Sequence, residues 1–310
     1  MGVRVGVGVG RFVFDDVSGF REWLDVCEGG AVDSIWQSDR VLSSEPFHEP
    51  LALLAVVAGA TRRLKIGMNA VVIGFRDPFT FARQCASIDH LSEGRLLPVV
   101  GVGSGGLDAW KATGRSSAGR GQRANEALEV ITRLWSEEKV SFAGESIRVE
   151  EATISPRPVQ QPLPLWIGGS SRAAIVRTVR YGTGWLAGLQ DVDGAIATAA
   201  AIRAEADAQG RPIPHDHYGA TVLYRIESAE EAARKSAAED GPLRAASKLV
   251  VSGPAEALVE HLAAYARGGI TKFVAIPVAR DQRDLLEQTR RLDTLVIPEA
   301  MRLPTAPPGE

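Results

Sequence analysis

The sequence predicts an α/β fold, a (β/α)8 TIM barrel in a single domain with insertions, and three observations carry that prediction. Eight short runs rich in Val, Ile and Leu recur along the chain, the pattern of parallel strands covered on both faces. Segments of helical periodicity separate them, and regular alternation of strand and helix favours a parallel sheet. The length of 310 residues suits one barrel of ~250 residues with additions.

The strands are expected at 3–9, 34–37, 64–73, 96–102, 165–167, 184–187, 219–226 and 272–278. Helices are expected at 19–29 and at 50–60, where Leu51, Leu54, Ala55 and Ala58 share a face. The next is 78–91, with Pro78 suited to a first turn. Four more follow at 121–135, 172–181, 194–210 and 254–268. The barrel therefore covers 1–297, with an insertion at about 107–164 that carries a small hairpin near 139–154, and an extra helical segment at about 228–253. The proline-rich end, 298–310, is expected to be a mobile tail.

Composition narrows the function. Lys and Arg number 35 against 38 Asp and Glu, a formal charge of −3, which lacks the basic excess of a nucleic-acid binder. No run approaches the ~18 apolar residues of a membrane span, and the N-terminus lacks the apolar stretch of a signal peptide. Two cysteines, Cys27 and Cys85, cannot build a disulfide framework. A cytoplasmic, non-membrane protein acting on a small molecule is expected.

In a parallel barrel, chemistry sits in the loops after the strands. Phe12 and Phe14 either wall a planar ligand or pack under the next helix. Asp39, Arg40 and His48 share the second loop, as a clamp or as ligand contacts. Asn69 and Ala70 end the third strand, and Arg76 either faces an anion or caps its loop. Gly101, Gly103, Ser104 and Gly106 match a dinucleotide-binding spacing, but no second strand closes with the required acid. Those glycines better suit close approach of a ligand to the backbone. Gly168, Gly169 and Ser170 precede a helix starting near Ser171, an arrangement that makes either an anion cradle or a plain helix cap. Gly184 and Trp185 reach the pocket or fill the barrel. His215 and His217 have no third ligand, so no metal is expected, and no Ser or Cys nucleophile motif is present.

Several stretches carry a family resemblance: Asp33-Ser-Ile-Trp36-Gln-Ser-Asp39-Arg40, Glu49-Pro50-Leu51, and Gly59 to Gly67. It continues through Arg76-Asp-Pro78, Ile88 to Leu96, Trp166-Ile-Gly168-Gly169 and Gly182-Thr-Gly184-Trp185. The chain resembles the bacterial luciferase-like monooxygenase superfamily, in its deazaflavin (coenzyme F420) branch. The resemblance implies hydride transfer between coenzyme F420 and a small organic substrate, and a homodimer formed through helices near the second and third units. It also implies a cis peptide at Asn69–Ala70 supporting the cofactor ring, with the phosphate resting on Gly168, Gly169 and Ser170. Many deazaflavin members have His where this chain has Arg40, so Arg40 is expected to act electrostatically and His48 becomes the candidate proton donor. Three alternatives stand beside this reading: an FMN-dependent monooxygenase served by a separate reductase, a flavin- or deazaflavin-binding protein without turnover, and a nicotinamide-dependent Rossmann dehydrogenase.

Overall fold

In the computed structural model, which describes residues 2–104, 106, 108–228 and 249–305, all eight expected strands form. They are β1 (Arg4–Val9), β2 (Ser34–Gln37), β3 (Lys65–Met68, resuming at Val71–Val72), β4 (Leu96–Leu97, resuming at Val99–Gly101), β5 (Trp166–Gly168), β6 (Gly184–Ala187), β7 (Tyr218–Ile226) and β8 (Lys272–Pro277). Every neighbour pairs in parallel, and the ring closes where Arg4 of β1 lies opposite Lys272 of β8. Strands β3 and β4 are paired on both sides of their breaks, Ile66 opposite Leu96 and Val71 opposite Val100.

The breaks have local causes. Pro98 interrupts β4 because it has no N–H to give the ladder. In β3 the Asn69–Ala70 peptide bond is cis, the feature the family resemblance implies.

Seven helices follow the expected segments: α1 (Val17–Gly29), α2 (Pro50–Ala60), α3 (Pro78–Leu91), α4 (Arg120–Ser136), α5 (Arg172–Tyr181), α6 (Val192–Ala208) and α7 (Ala255–Arg267). An eighth, α8 (Gln282–Arg291), was not anticipated, although Asp281 is an N-cap signal that accepts from the Asp284 amide at 2.8 Å. Acidic caps recur, with Asp16, Glu49, Asp77 and Asp191 each accepting an amide of the first helical turn. Side chains from the strands fill the interior, and Gly184 makes room for one of them. A Cβ at Gly184 would lie 2.4 Å from the Trp166 indole nitrogen.

The expected insertion contains the short helix Asp108–Ala112, then α4, then an antiparallel hairpin of Val140–Ala143 with Arg148–Ala152. Glu126 of α4 fixes the hairpin turn by accepting the Glu145, Ser146 and Ile147 amides at 3.0, 2.8 and 3.1 Å. Of the segment at 228–253, residues 229–248 lie outside the described residues, and Val250–Gly253 is a strand parallel to β7 rather than helix. The tail expected from Pro298 onward begins inside a short helix, Ile297–Ala300, where Ala300 is buried; 306–310 lie outside the described residues.

Candidate active site at the barrel mouth

The C-terminal strand ends surround a cavity of about 820 Å³, a size typical of small-molecule sites. Its wall divides around the ring into two arcs. Loops after β3, β4 and β5 supply Asn69, Ala70, Gly103, Arg120, Gly168, Gly169 and Arg177, a polar and cationic side. The arc from β6 through β8 and on to β2 supplies the aliphatic Leu189, Leu223 and Ile276, with Thr221 among them and the polar Ser38, Asp39 and Arg40 beside Phe47 at its β2 end.

Asp39 is nearly enclosed, with its side chain 3% exposed. One of its oxygens accepts from Arg76 at 3.2 Å and the other from the Val72 amide at 3.1 Å. Arg76 also donates to Glu49 at 2.6 Å, so a single guanidinium joins the second loop to the third. The sequence left Asp39 open between loop clamp and ligand contact, and Arg76 between anion contact and cap. The structure uses both as a clamp, because each has an oppositely charged partner within reach. Arg40 turns away from Asp39 and lies over the Phe47 ring, its guanidinium carbon 4.9 Å from the centroid.

On β3, the Asn69 side-chain oxygen accepts from the Thr221 hydroxyl of β7 at 2.9 Å. With that oxygen engaged, the amide presents its N–H groups as donors to other partners. Thr221 is itself buried and lines the same cavity.

The opposite wall is the anion cradle. Gly169 has φ +110°, a conformation that suits glycine, and its carbonyl accepts from the Trp185 indole at 2.8 Å. Ser171 caps α5, its hydroxyl oxygen accepting from the Ala174 amide at 3.2 Å, and with Ala173 and Ala174 it brings the first turn of the helix to the cavity wall. Arg177, one and a half turns further along α5, is 6% exposed. It donates to the Asn125 side chain at 2.8 Å and to the Gly121 carbonyl at 3.4 Å. Burial lowers its pKa from the ordinary arginine value. Among the described residues, the Arg120 side chain donates to the carbonyls of Gly103 and Ser117. Neither arginine has a carboxylate partner among the described residues, so this side of the cavity is electropositive.

Asp39, Arg40, Asn69, Ala70, Gly103, Gly168 and Gly169 thus meet at one cavity. Ser104, His48, Ser170, Gly184 and Trp185 do not line it. Ser104 is exposed, and its carbonyl accepts from Trp110. His48 lies outside on the Phe12 ring at 4.2 Å, an exposed position that does not suit a proton donor to a ligand in the cavity. Ser170 is exposed, and it is Ser171 that faces inward. Gly184 seats Trp166, and fully buried Trp185 acts from behind through Gly169. The dinucleotide-binding spacing does not open a long helix, since the helix after it has five residues; Gly105 and Leu107 lie outside the described residues.

The sequence reading missed Arg120, Arg177 and Thr221. Arg177 stands at helical spacing from the buried Ala174 and Tyr181, a cation on an apolar face. Arg120 opens α4, where the helix dipole disfavours a cation. Either departure is a readable signal of an anion nearby. Thr221 leaves none, because its neighbour is set by barrel closure.

A model of the luciferase-like monooxygenase family matches residues 3–247. The chain belongs to this family. An F420-dependent glucose-6-phosphate dehydrogenase from Amycolatopsis mediterranei is 32% identical to this luciferase-like protein over 174 residues, 53% of this chain and 51% of that protein. An FMNH2-dependent dimethylsulfone monooxygenase from Pseudomonas putida is 30% identical over 197 residues, 62% of this chain and 53% of that one. The chain spans about half the length of these curated relatives. Among solved structures, the monooxygenase RslO1 from Streptomyces bottropensis superposes with a TM-score of 0.81 at 18% identity, covering 95% of this chain and 99% of that one. An F420-dependent secondary alcohol dehydrogenase in complex with an F420–acetone adduct gives 0.79 at 16%, covering 97% and 99%. At these identities the two structures establish the luciferase-like barrel and nothing finer.

Proposed function

We propose that the protein is an oxidoreductase that transfers hydride between coenzyme F420 and a small organic substrate. The observation that carries this reading is the electropositive wall, where the N-terminus of α5 and two arginines without acidic partners among the described residues face one cavity. Such a wall fits a phosphorylated cofactor, because amides and guanidiniums bind phosphate oxygens and the helix dipole adds to them. Gly168, Gly169 and Ser171 would hold the phosphate, with Arg120 and Arg177 neutralising its charge. Ala70 and Asn69 would support the ring. Bound there, the deazaflavin supplies a carbon that gives or accepts hydride. The chain's own part is to orient the two reactants, to present the donor and acceptor atoms of Asn69 and Thr221, and to exclude water with Leu189, Leu223 and Ile276.

The protein is further proposed to be a cytoplasmic homodimer. Both cysteines are buried free thiols, and no helix among the described residues is long and apolar enough to cross a membrane. Helix α2 is apolar on every face, leaving Val56 half exposed, and Leu91 at the end of α3 is 67% exposed.

Titration of the purified protein with F420 and, separately, with FMN tests the proposal by fluorescence. Micromolar binding of F420, tighter than FMN, is expected. Tight binding of FMN alone transfers the reading to the monooxygenase supplied by a separate reductase, and binding of neither overturns it.

A further inference from the structure

Ion pairing around the second loop leaves one arginine over, because Arg76 takes two of the three acids there. The loop holds three acids, and each is already engaged: Asp39 with Arg76 and the Val72 amide, Glu45 with Arg11 at 3.3 Å, and Glu49 with Arg76 and the Ala52 amide. Arg40, at the cavity wall, has no carboxylate partner among the described residues. Phe47, from the same loop, holds its guanidinium by the face and leaves the N–H edge free to donate.

The position of Arg40 separates it from the cradle. Strands β2 and β5 stand three apart around a ring of eight, so Arg40 lies across the mouth from Arg177. Of the aliphatic wall, Ile276 of β8 stands two strands from β2 and Leu223 of β7 three, while Leu189, after β6, lies on the opposite side of the ring. An always protonated cation exposed at the rim, facing an aliphatic wall across the mouth, is a receptor for a ligand with an acidic head and an apolar body, and a guanidinium binds carboxylate through two parallel hydrogen bonds.

We infer that the substrate is an organic acid whose carboxylate docks on Arg40 while its apolar body runs across the mouth along Ile276 and Leu223 toward Leu189. The inference rests on the proposed function for the placement of the cofactor on the opposite arc, and it names the substrate class for that same site. Arg40 then sets specificity, and its charge takes no part in proton transfer.

The test is calorimetric titration of the full chain, with and without F420, using propionate, isovalerate, hexanoate and phenylacetate, each against its primary amide. At least one acid should bind about tenfold or more tightly than its amide. That preference should disappear in Arg40→Gln and survive in part in Arg40→Lys, with melting temperatures confirming that both variants fold. Absence of any preference for acid over amide in the wild type overturns the inference, as does a preference undiminished in Arg40→Gln. An equal loss of F420 affinity in Arg40→Gln also overturns it, by assigning the residue to the cofactor. A chain that prefers acids but binds no F420 loses the cofactor reading and keeps this one.

Discussion

Replacing Trp185 by Phe removes one hydrogen bond from behind the anion cradle without touching the cavity wall. The indole is fully buried and donates to the Gly169 carbonyl at 2.8 Å. Phenylalanine leaves that carbonyl unpaired, which costs roughly 1–3 kcal/mol, and the smaller ring leaves a void worth about 1 kcal/mol more. The expected loss is therefore ~2–4 kcal/mol of stability, with a fall in Tm of several degrees. Gly169, no longer held from behind, samples other peptide orientations, and F420 affinity should weaken about tenfold. Trp135→Phe is the matched control, since its indole is also buried and donates to a carbonyl, that of Ala82, at 3.0 Å, away from the cavity. It should lose comparable stability and bind cofactor as the wild type does. If Trp185→Phe binds cofactor with wild-type affinity while melting like Trp135→Phe, the idea that this bond sets the cradle is wrong.

Asp39→Ala should destabilise the protein by ~3 kcal/mol or more, because it strips Arg76 of a buried partner and orphans the Val72 amide; urea unfolding measures this. Arg177→Met should leave the free protein as stable as the wild type or more so, since it relieves a buried charge, and should weaken F420 binding at least about tenfold; a melt and a titration on one sample check both. Burial pushes the Glu126 carboxyl up, but the hairpin amides outweigh it and hold the group below its ordinary 4.5. Its stabilisation is therefore fully present above the unfolded value and lost as pH falls through the lower folded value. Urea midpoints measured between about pH 6 and pH 3 should fall more steeply for the wild type than for Glu126→Gln.

The framework was legible because each part has a local cause. Continuous aliphatic runs marked the strands, and Pro78 marked one helix start. Helix α8 escaped because its sequence, Gln282 to Arg291, is strongly polar and buries little beyond Leu285, Leu286, Gln288 and Thr289. At the site, the glycine turn after β5 was readable because its backbone chemistry is written in neighbouring residues. Which side chain faces the ligand was not. The same pleat that turns Gly168 toward the cavity sends Trp185 of the neighbouring strand behind it, a matter of register between strands. The contact between Thr221 and Asn69 joins residues 152 apart in sequence and exists only because the ring closes. The place of His48 was hidden for a similar reason, since its ring rests on Phe12, whose amide donates to the Pro46 carbonyl of the same loop at 2.7 Å, a contact between distant stretches of sequence.

Arg76, by grasping Asp39 and Glu49 together, makes one rigid jamb of two neighbouring loops. Any movement of one loop away from the other must break these ion pairs. Across the mouth, Gly188 and the half-exposed Leu189 lie in a turn with no ion pair among the described residues, held instead by the Tyr265 hydroxyl donating to the Gln190 carbonyl at 2.7 Å. Substitutions that loosen the cavity mouth should therefore be tolerated better at that turn than at the riveted side.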